Sequence, residues 1–442
     1  MIKHKYRWIL LFVASTYFYS AFFLPYILIL YFIIIIDYVS GILIENSKNK
    51  TKLVWLLFSI LSNIGLLAYF KYYNFFIDVF VDFVPKLRHL DIILPIGLSF
   101  HTFQSLSYTI EVYKGKQKAE KHVGYFANYV LFFPQMVAGP IERYDSLGKE
   151  LRTNHQFDYN NISNGLRLIL YGLFVKMCIA DNLAPLANEF YSNPTLYYSS
   201  SAWKALVAFS IQIYADFYGY STIAVGAARL LGIHLIDNFK QPYFATSFYQ
   251  FWQRWHISLT TWFRNYVFFP MGGSYVNTFR WIINILFVFA LSGFWHGANY
   301  TFIIWGFLHG LFYIIEKGFV KIIPETIKTN QLFLVIGAIS TFILVTLIWV
   351  FFRAENFDKA LLVLKQCFTY TFESKNDLLI NIQTLAMLAV FIVFEIVIYK
   401  SRFDLFLQNQ KIVVRWTVYI LLAFCLLLFS GIQSFQFIYF QF

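Results

Sequence analysis

Residues 26–44 read YILILYFIIIIDYVSGILI, nineteen positions of which only Asp37 carries a charge. Such a run crosses the roughly 30 Å hydrocarbon core of a bilayer as one α-helix, because lipid offers no partner to an unpaired peptide group. Similar stretches recur along the whole chain, near 8–24, 26–44, 53–70, 165–183, 202–231, 281–292, 298–318, 332–352, 384–400 and 414–432. Only 13% of the 442 residues are charged, against about a quarter in a soluble protein. No polar interruption is long enough for a soluble domain, so residues 1–442 read as a single integral membrane domain, all-α and polytopic.

The formal net charge of +12 does not call for a nucleic-acid partner, because the basic residues fall in short loops between apolar runs. Lys3, Lys5 and Arg7 precede the first run, Lys48, Lys50 and Lys52 follow the second, and YKGKQKAEKH occupies 113–122. The positive-inside rule places the N-terminus, 45–52 and 113–122 in the cytoplasm. The first apolar run passes through Pro25 into a second instead of reaching a small-residue cleavage site, so it is expected to be retained. Two stretches differ from the rest. Residues 92–110 and 123–140 contain Pro95, Gly97, Pro134, Gly139 and Pro140, and are expected to bend or re-enter beside a cavity that satisfies their freed backbone groups. There is no internal repeat of the kind on which many secondary transporters are built. Cys178, Cys367 and Cys425 are widely spaced in apolar surroundings and read as buried thiols.

Three segments carry polar groups where the solvent is lipid. FWQRWHISLTTWFRNY, 251–266, drawn as one helix, gathers Trp252, Trp255, His256, Leu259, Trp262, Phe263 and Tyr266 on one face and Arg254, Ser258, Thr261 and Asn265 on the other. It is expected to lie at the interface as an anchor, yet His256 sits on its aromatic face. In YADFYGYSTIAVGAARLLGI, 214–233, Asp216 and Arg229 are roughly 20 Å apart along a helix, so each needs its own partner, structural or functional. In GFWHGANYTFIIWGFLHG, 293–310, His296 lies between Gly293 and Gly297. The glycines fit a helix-packing patch; the imidazole fits a general base for a hydroxyl. His309, thirteen residues on, would point away from His296 if one helix carried both. No H-E-x-x-H, C-x-x-C, G-x-S-x-G or P-loop pattern occurs, so no metal site and none of those hydrolase or NTPase chemistries is expected.

FWQRWHISLTTWFRNYVFFPMGG, SGFWHGANYTFIIWGFLHG, FFPQMVAGPIERY, LPIGLSFHTFQSLSYTIEVYKG and FIYFQF, each weak alone but strong together and in their order along the chain, resemble the bacterial branch of the membrane-bound O-acyltransferase (MBOAT) family that serves alginate O-acetylation. The likeness runs from about residue 5 to 442. It implies a ring of tilted transmembrane and re-entrant helices around a tunnel, with His296 as catalytic residue and His256 as the second conserved polar position. It also implies a cytoplasmic acyl thioester donor, acetyl-coenzyme A, with no bound cofactor, and a polysaccharide acceptor reached directly or through an extracytoplasmic esterase-like transferase. Arg254, Arg264, Arg143 or Lys149 would hold the donor's phosphates, Asn299 or His256 the oxyanion, and Asp216 is a further candidate for substrate binding. The setting implied is the bacterial inner membrane, multi-pass with a cytoplasmic N-terminus. D-alanyl transfer to teichoic acid from a carrier protein, and a transporter without chemistry, are the alternatives. The chain departs from the family at Thr222, where an acidic residue is usual, and begins where relatives carry one more apolar segment.

Overall fold

The computed structural model describes residues 3–80, 88–370, 375–430, 435, 437 and 438. Among them every regular element is helical, apart from one isolated bridge between Tyr197 and Asn376. Among the described residues seven helices are long and apolar enough to cross a membrane: Tyr26–Asn46, Asn49–Phe80, Tyr159–Ser192, Thr278–His296, Tyr300–Ile322, Gln331–Arg353 and Ile412–Phe429. Ile382–Val397 is apolar but shorter, and Ser199–Leu230 is a long helix threaded with polar residues. Large aliphatic side chains face outward on these helices, Leu427 at 84% and Leu61 at 68% exposure. Water would not tolerate so much contiguous apolar surface, whereas acyl chains match it. The protein is an all-α, multi-pass membrane protein.

Helix starts follow local chemistry. Asn277, Asn299, Asn330, Asn356 and Asn381 each stand at an N-cap, their side-chain oxygens accepting a first-turn backbone N–H. The third apolar stretch is longer than its hydropathy implied, because a π-helical turn at Ala68–Tyr72 carries it on to Phe80.

The residues divide into two compact units, Met1–Gly165 with Ala224–Ile236, and Leu166–Ile223 with Asp237–Phe442. In the first, the stretch expected at 92–110 is a helix only from Leu98 to Tyr113, buried along most of its length. The stretch 123–140 is a half-helix, Val123–Leu131, followed by turns to Pro140. Gly97 has φ +72°, and a Cβ there would lie 2.7 Å from the Met136 carbonyl oxygen, so the two broken stretches meet backbone to backbone at a residue that must lack a side chain. Arg143 belongs to this unit, half-buried at the start of the π-helical turn Tyr144–Gly148, and Lys149 is exposed just after it. The second unit holds the remaining candidate residues.

Candidate active site

His296 is the last residue of Thr278–His296, and Gly297, Ala298 and the N-cap Asn299 separate that helix from Tyr300–Ile322. The two helices form a tight antiparallel hairpin. A Cβ on Gly293 would lie 2.0 Å from the Phe302 carbonyl oxygen, and one on Gly306 2.1 Å from that of Phe289. The small residues therefore do pack helix against helix. His296 and His309 are on different helices, so the geometry of a single continuous helix does not apply. Both flank the indole of Trp305, at 5.2 and 4.9 Å between ring centroids.

His296 is 3% exposed, with Trp295, Trp305 and Phe352 centred 4.9, 5.2 and 5.4 Å away. The imidazole is therefore walled by aromatic rings. His256 is buried entirely. Phe217 meets it edge-on at 4.6 Å and Trp295 lies at 6.4 Å, so Trp295 neighbours both histidines. Burial pushes the His256 pKa down to about 3, which keeps the ring neutral.

The segment 251–266 is not one helix. Phe248–Arg254 ends at Trp255, His256 takes φ +41°, and Ile257–Phe263 starts afresh before a π-helical turn at Arg264–Phe268. A left-handed conformation at a non-glycine residue is strained and collects at functional sites. The break also turns Ser258 inward, where its hydroxyl donates to Asn238 Oδ1 at 2.6 Å, although the helical wheel put it on the wet face. Trp252, Trp255, Leu259, Trp262 and Phe263 are buried as that wheel required.

Arg254 is half-buried and donates to the Tyr399 hydroxyl at 3.1 Å, while Arg264 is exposed. Arg264 borders a cleft of about 290 Å³ whose walls include Gln253, Trp252, Trp281 and Phe289 and which reaches Ser292, one helical turn before His296. Asn299 is spent on structure: its oxygen caps Thr301 at 3.0 Å and its amide donates to the Glu355 carbonyl at 2.9 Å. Asp216 is buried against Lys176, 2.6 Å away, a partner that the sequence reading did not identify. Sequence reasoning also missed that Trp305 lies between His296 and His309. The Trp252 and Trp305 indole N–H groups and both His309 ring nitrogens have no hydrogen-bond partner among the described residues. Among those residues no three His, Cys, Asp or Glu side chains converge as a metal site requires.

Two buried imidazoles, His256 and His296, thus share Trp295, and the cleft bordered by Arg264 reaches Ser292, one turn before His296. Comparison gives the class directly: the profile of MBOAT, the membrane-bound O-acyltransferase family, matches residues 51–355. The chain belongs to that family, and is an O-acyltransferase. It is 36% identical over 379 residues to the probable alginate O-acetylase AlgI of Pseudomonas aeruginosa, covering 83% of this chain and 70% of that one. It is 33% identical to the peptidoglycan O-acetyltransferase of Helicobacter pylori, covering 81% and 72%. The teichoic acid D-alanyltransferase of Bacillus subtilis is 30% identical over 49% of this chain and 57% of its own.

Proposed function

We propose that this protein moves an acetyl group from cytoplasmic acetyl-coenzyme A to a hydroxyl of an exported polysaccharide, directly or through a separate extracytoplasmic esterase-like transferase. The observation that carries the reading is the pair of buried imidazoles sharing Trp295, with a cleft running from exposed Arg264 to within a turn of His296. Acetyl is favoured over D-alanyl because the relatives named for O-acetylation match over four-fifths of the chain and the D-alanyltransferase over half. We take residues 1–442 as one acyltransferase domain, since the family match runs through both compact units. Its helices are read as a ring around a tunnel in the bacterial inner membrane, with the N-terminus cytoplasmic because the basic loops require it.

In this reading the donor's phosphates meet Arg264 at the mouth of the cleft, and Arg254, Arg143 and Lys149 are candidates for the same role by their charge alone. The pantetheine arm lies in the aromatic cleft, where the partnerless indole N–H of Trp252 meets one of its amides. His296 takes the proton as the acceptor hydroxyl attacks the thioester carbonyl. The oxyanion is assigned to His256, whose neutral ring carries one N–H, because the Asn299 amide is committed to Glu355. Collapse breaks the C–S bond, and the proton returns from His296 to the departing sulfur. No acyl-enzyme is needed.

A transporter would use the same passage but gives no reason for a base at 296. His296→Asn keeps the size and hydrogen bonding of the side chain and removes its basicity. The base contributes about 10²- to 10⁴-fold, so the folded variant should release almost no coenzyme A thiol from acetyl-coenzyme A. Near-normal release by a well-folded His296→Asn protein ends this mechanism.

A further inference from the structure

Acyl transfer as described makes no use of Asp216, and the sequence offered it no partner. In the structure it belongs to a buried network. Lys176 Nζ lies 2.6 Å from Asp216 Oδ1 and 2.6 Å from Asp181 Oδ1, and donates to the Phe435 carbonyl at 3.1 Å. Lys176, Asp181 and Asp216 are each 6% exposed or less. Lys176 stands in a π-helical turn, Phe174–Ala180, an irregularity that recurs at functional sites because it redirects side chains out of the α register. A single ion pair would satisfy the lysine. A second buried carboxylate leaves excess negative charge away from water, which is costly without further donors.

The second carboxylate has such a donor. Asp216 Oδ2 accepts the backbone N–H of Ile438 at 2.7 Å, so the network grips the main chain at two points, the Phe435 oxygen and the Ile438 nitrogen. Phe437, held between them, lies against Tyr220 at 4.8 Å and Phe217 at 5.6 Å. Phe217 is the ring that meets His256 at 4.6 Å. An unbroken chain of contacts therefore joins Lys176 to His256.

The network also borders a cavity of about 480 Å³, lined by Asp181, Asn182, Gln383, Thr384, Ser430 and Phe435 among others. Its wall includes the start of Ile382–Val397 and the end of Ile412–Phe429. The loop joining the other ends of these helices carries Lys400, Arg402 and Lys411. With that basic loop cytoplasmic, the cavity faces the opposite side, from which an exported acceptor would come.

We propose that Lys176 is a positioning residue for acyl transfer: bridging Asp181 and Asp216, it holds the main chain at Phe435 and Ile438, seats Phe437 against Phe217 and thereby fixes His256, on the side where the acceptor hydroxyl enters. The inference rests on the acyl-transfer reading, and the test separates the two. Membrane vesicles of the expressing strain, which contain the native acceptor, are given acetyl-coenzyme A, and thiol release is followed for wild type, His296→Asn, Lys176→Met and Phe437→Leu. Phe437→Leu removes the ring but keeps an apolar side chain and leaves every charge in place, so its cost is confined to local packing and it is expected to insert and fold. In both Lys176→Met and Phe437→Leu, kcat should fall about tenfold or more while the donor KM stays within about twofold, as expected when geometry and not donor binding is lost. Lys176→Arg, which keeps the bridging cation, should recover much of the lost rate. If wild type releases no thiol beyond His296→Asn, the acyl-transfer reading falls and this inference with it. If wild type is active and Phe437→Leu keeps the wild-type kcat, or loses rate only in proportion to folded protein, Lys176 is structural and the inference is wrong; this holds even where Lys176→Met fails to insert.

Discussion

Replacing Gly293 with alanine should disable the site without touching a reacting group. The new methyl would sit 2.0 Å from the Phe302 carbonyl oxygen and 2.9 Å from its carbon, where ordinary contact begins at 3.4 Å. Both atoms are backbone, so no side chain can swing aside, and the hairpin must open by about 1.4 Å at this point. Overpacking of this kind costs up to about 3 kcal/mol, and alanine's better helix propensity returns about 1 kcal/mol, so a net loss near 2 kcal/mol is expected. His296 is less than one turn away. A displacement of about 1 Å in a catalytic group costs on the order of 100-fold in rate. Gly306→Ala strikes the same contact from the other helix, with the Phe289 oxygen at 2.1 Å, so the double variant should lose less than the sum of the two. Gly318→Ala, on the same helix as Gly306 but with nothing within 4 Å, is the control and should keep full activity. Thermal melting in detergent and thiol release from acetyl-coenzyme A read both quantities. A Gly293→Ala protein with wild-type melting and wild-type turnover would refute the argument that backbone contact sets the position of His296.

At His256, asparagine tolerates the left-handed backbone better than alanine. His256→Ala should therefore lose about 2–4 kcal/mol of stability, and His256→Asn clearly less, by melting temperature; equal losses would show that φ +41° is not what the position demands. Arg264→Gln should raise the donor KM about two- to fivefold, the worth of one exposed charge pair, with kcat unchanged; a collapse of kcat at fixed KM would place Arg264 at the chemistry. Glu142, outside the membrane helices, is pushed up to about 7 by burial, against the Ile236 N–H at 2.7 Å that favours its ionised form. Its raised folded pKa means that its contribution to stability is fully present below pH 4.5 and is lost as pH rises through about 7. Melting temperature should thus fall from pH 5 to 8 in wild type and fall less in Glu142→Gln; parallel profiles would refute this.

Most of the helices were legible in the sequence because apolar runs are local; their starts, set by equally local asparagine caps, were not marked by those runs. An apolar run in lipid has to satisfy its own peptide groups, and an asparagine at an N-cap acts on an N–H two or three residues away. Family membership was legible in the same way, through motifs contiguous in the chain. The periodicity that made 251–266 one helix could not register the reversal at His256, since a single residue at positive φ leaves the apolar spacing intact while turning Ser258 from the wet face into the core. Nor could it pair Asp216 with Lys176, forty positions upstream in another helix, or bring Trp295 beside both His256 and His296. Asn299 looked like a spare donor next to the histidine until the Glu355 carbonyl, distant in sequence, claimed its amide. Sequence determined which segments must be helices in a membrane and which side chains were costly to keep there. Which of those side chains meet is decided by close packing between helices, where a glycine at 293 or a π-turn at 174–180 sets position to within an ångström, and that information is shared among residues far apart in the chain.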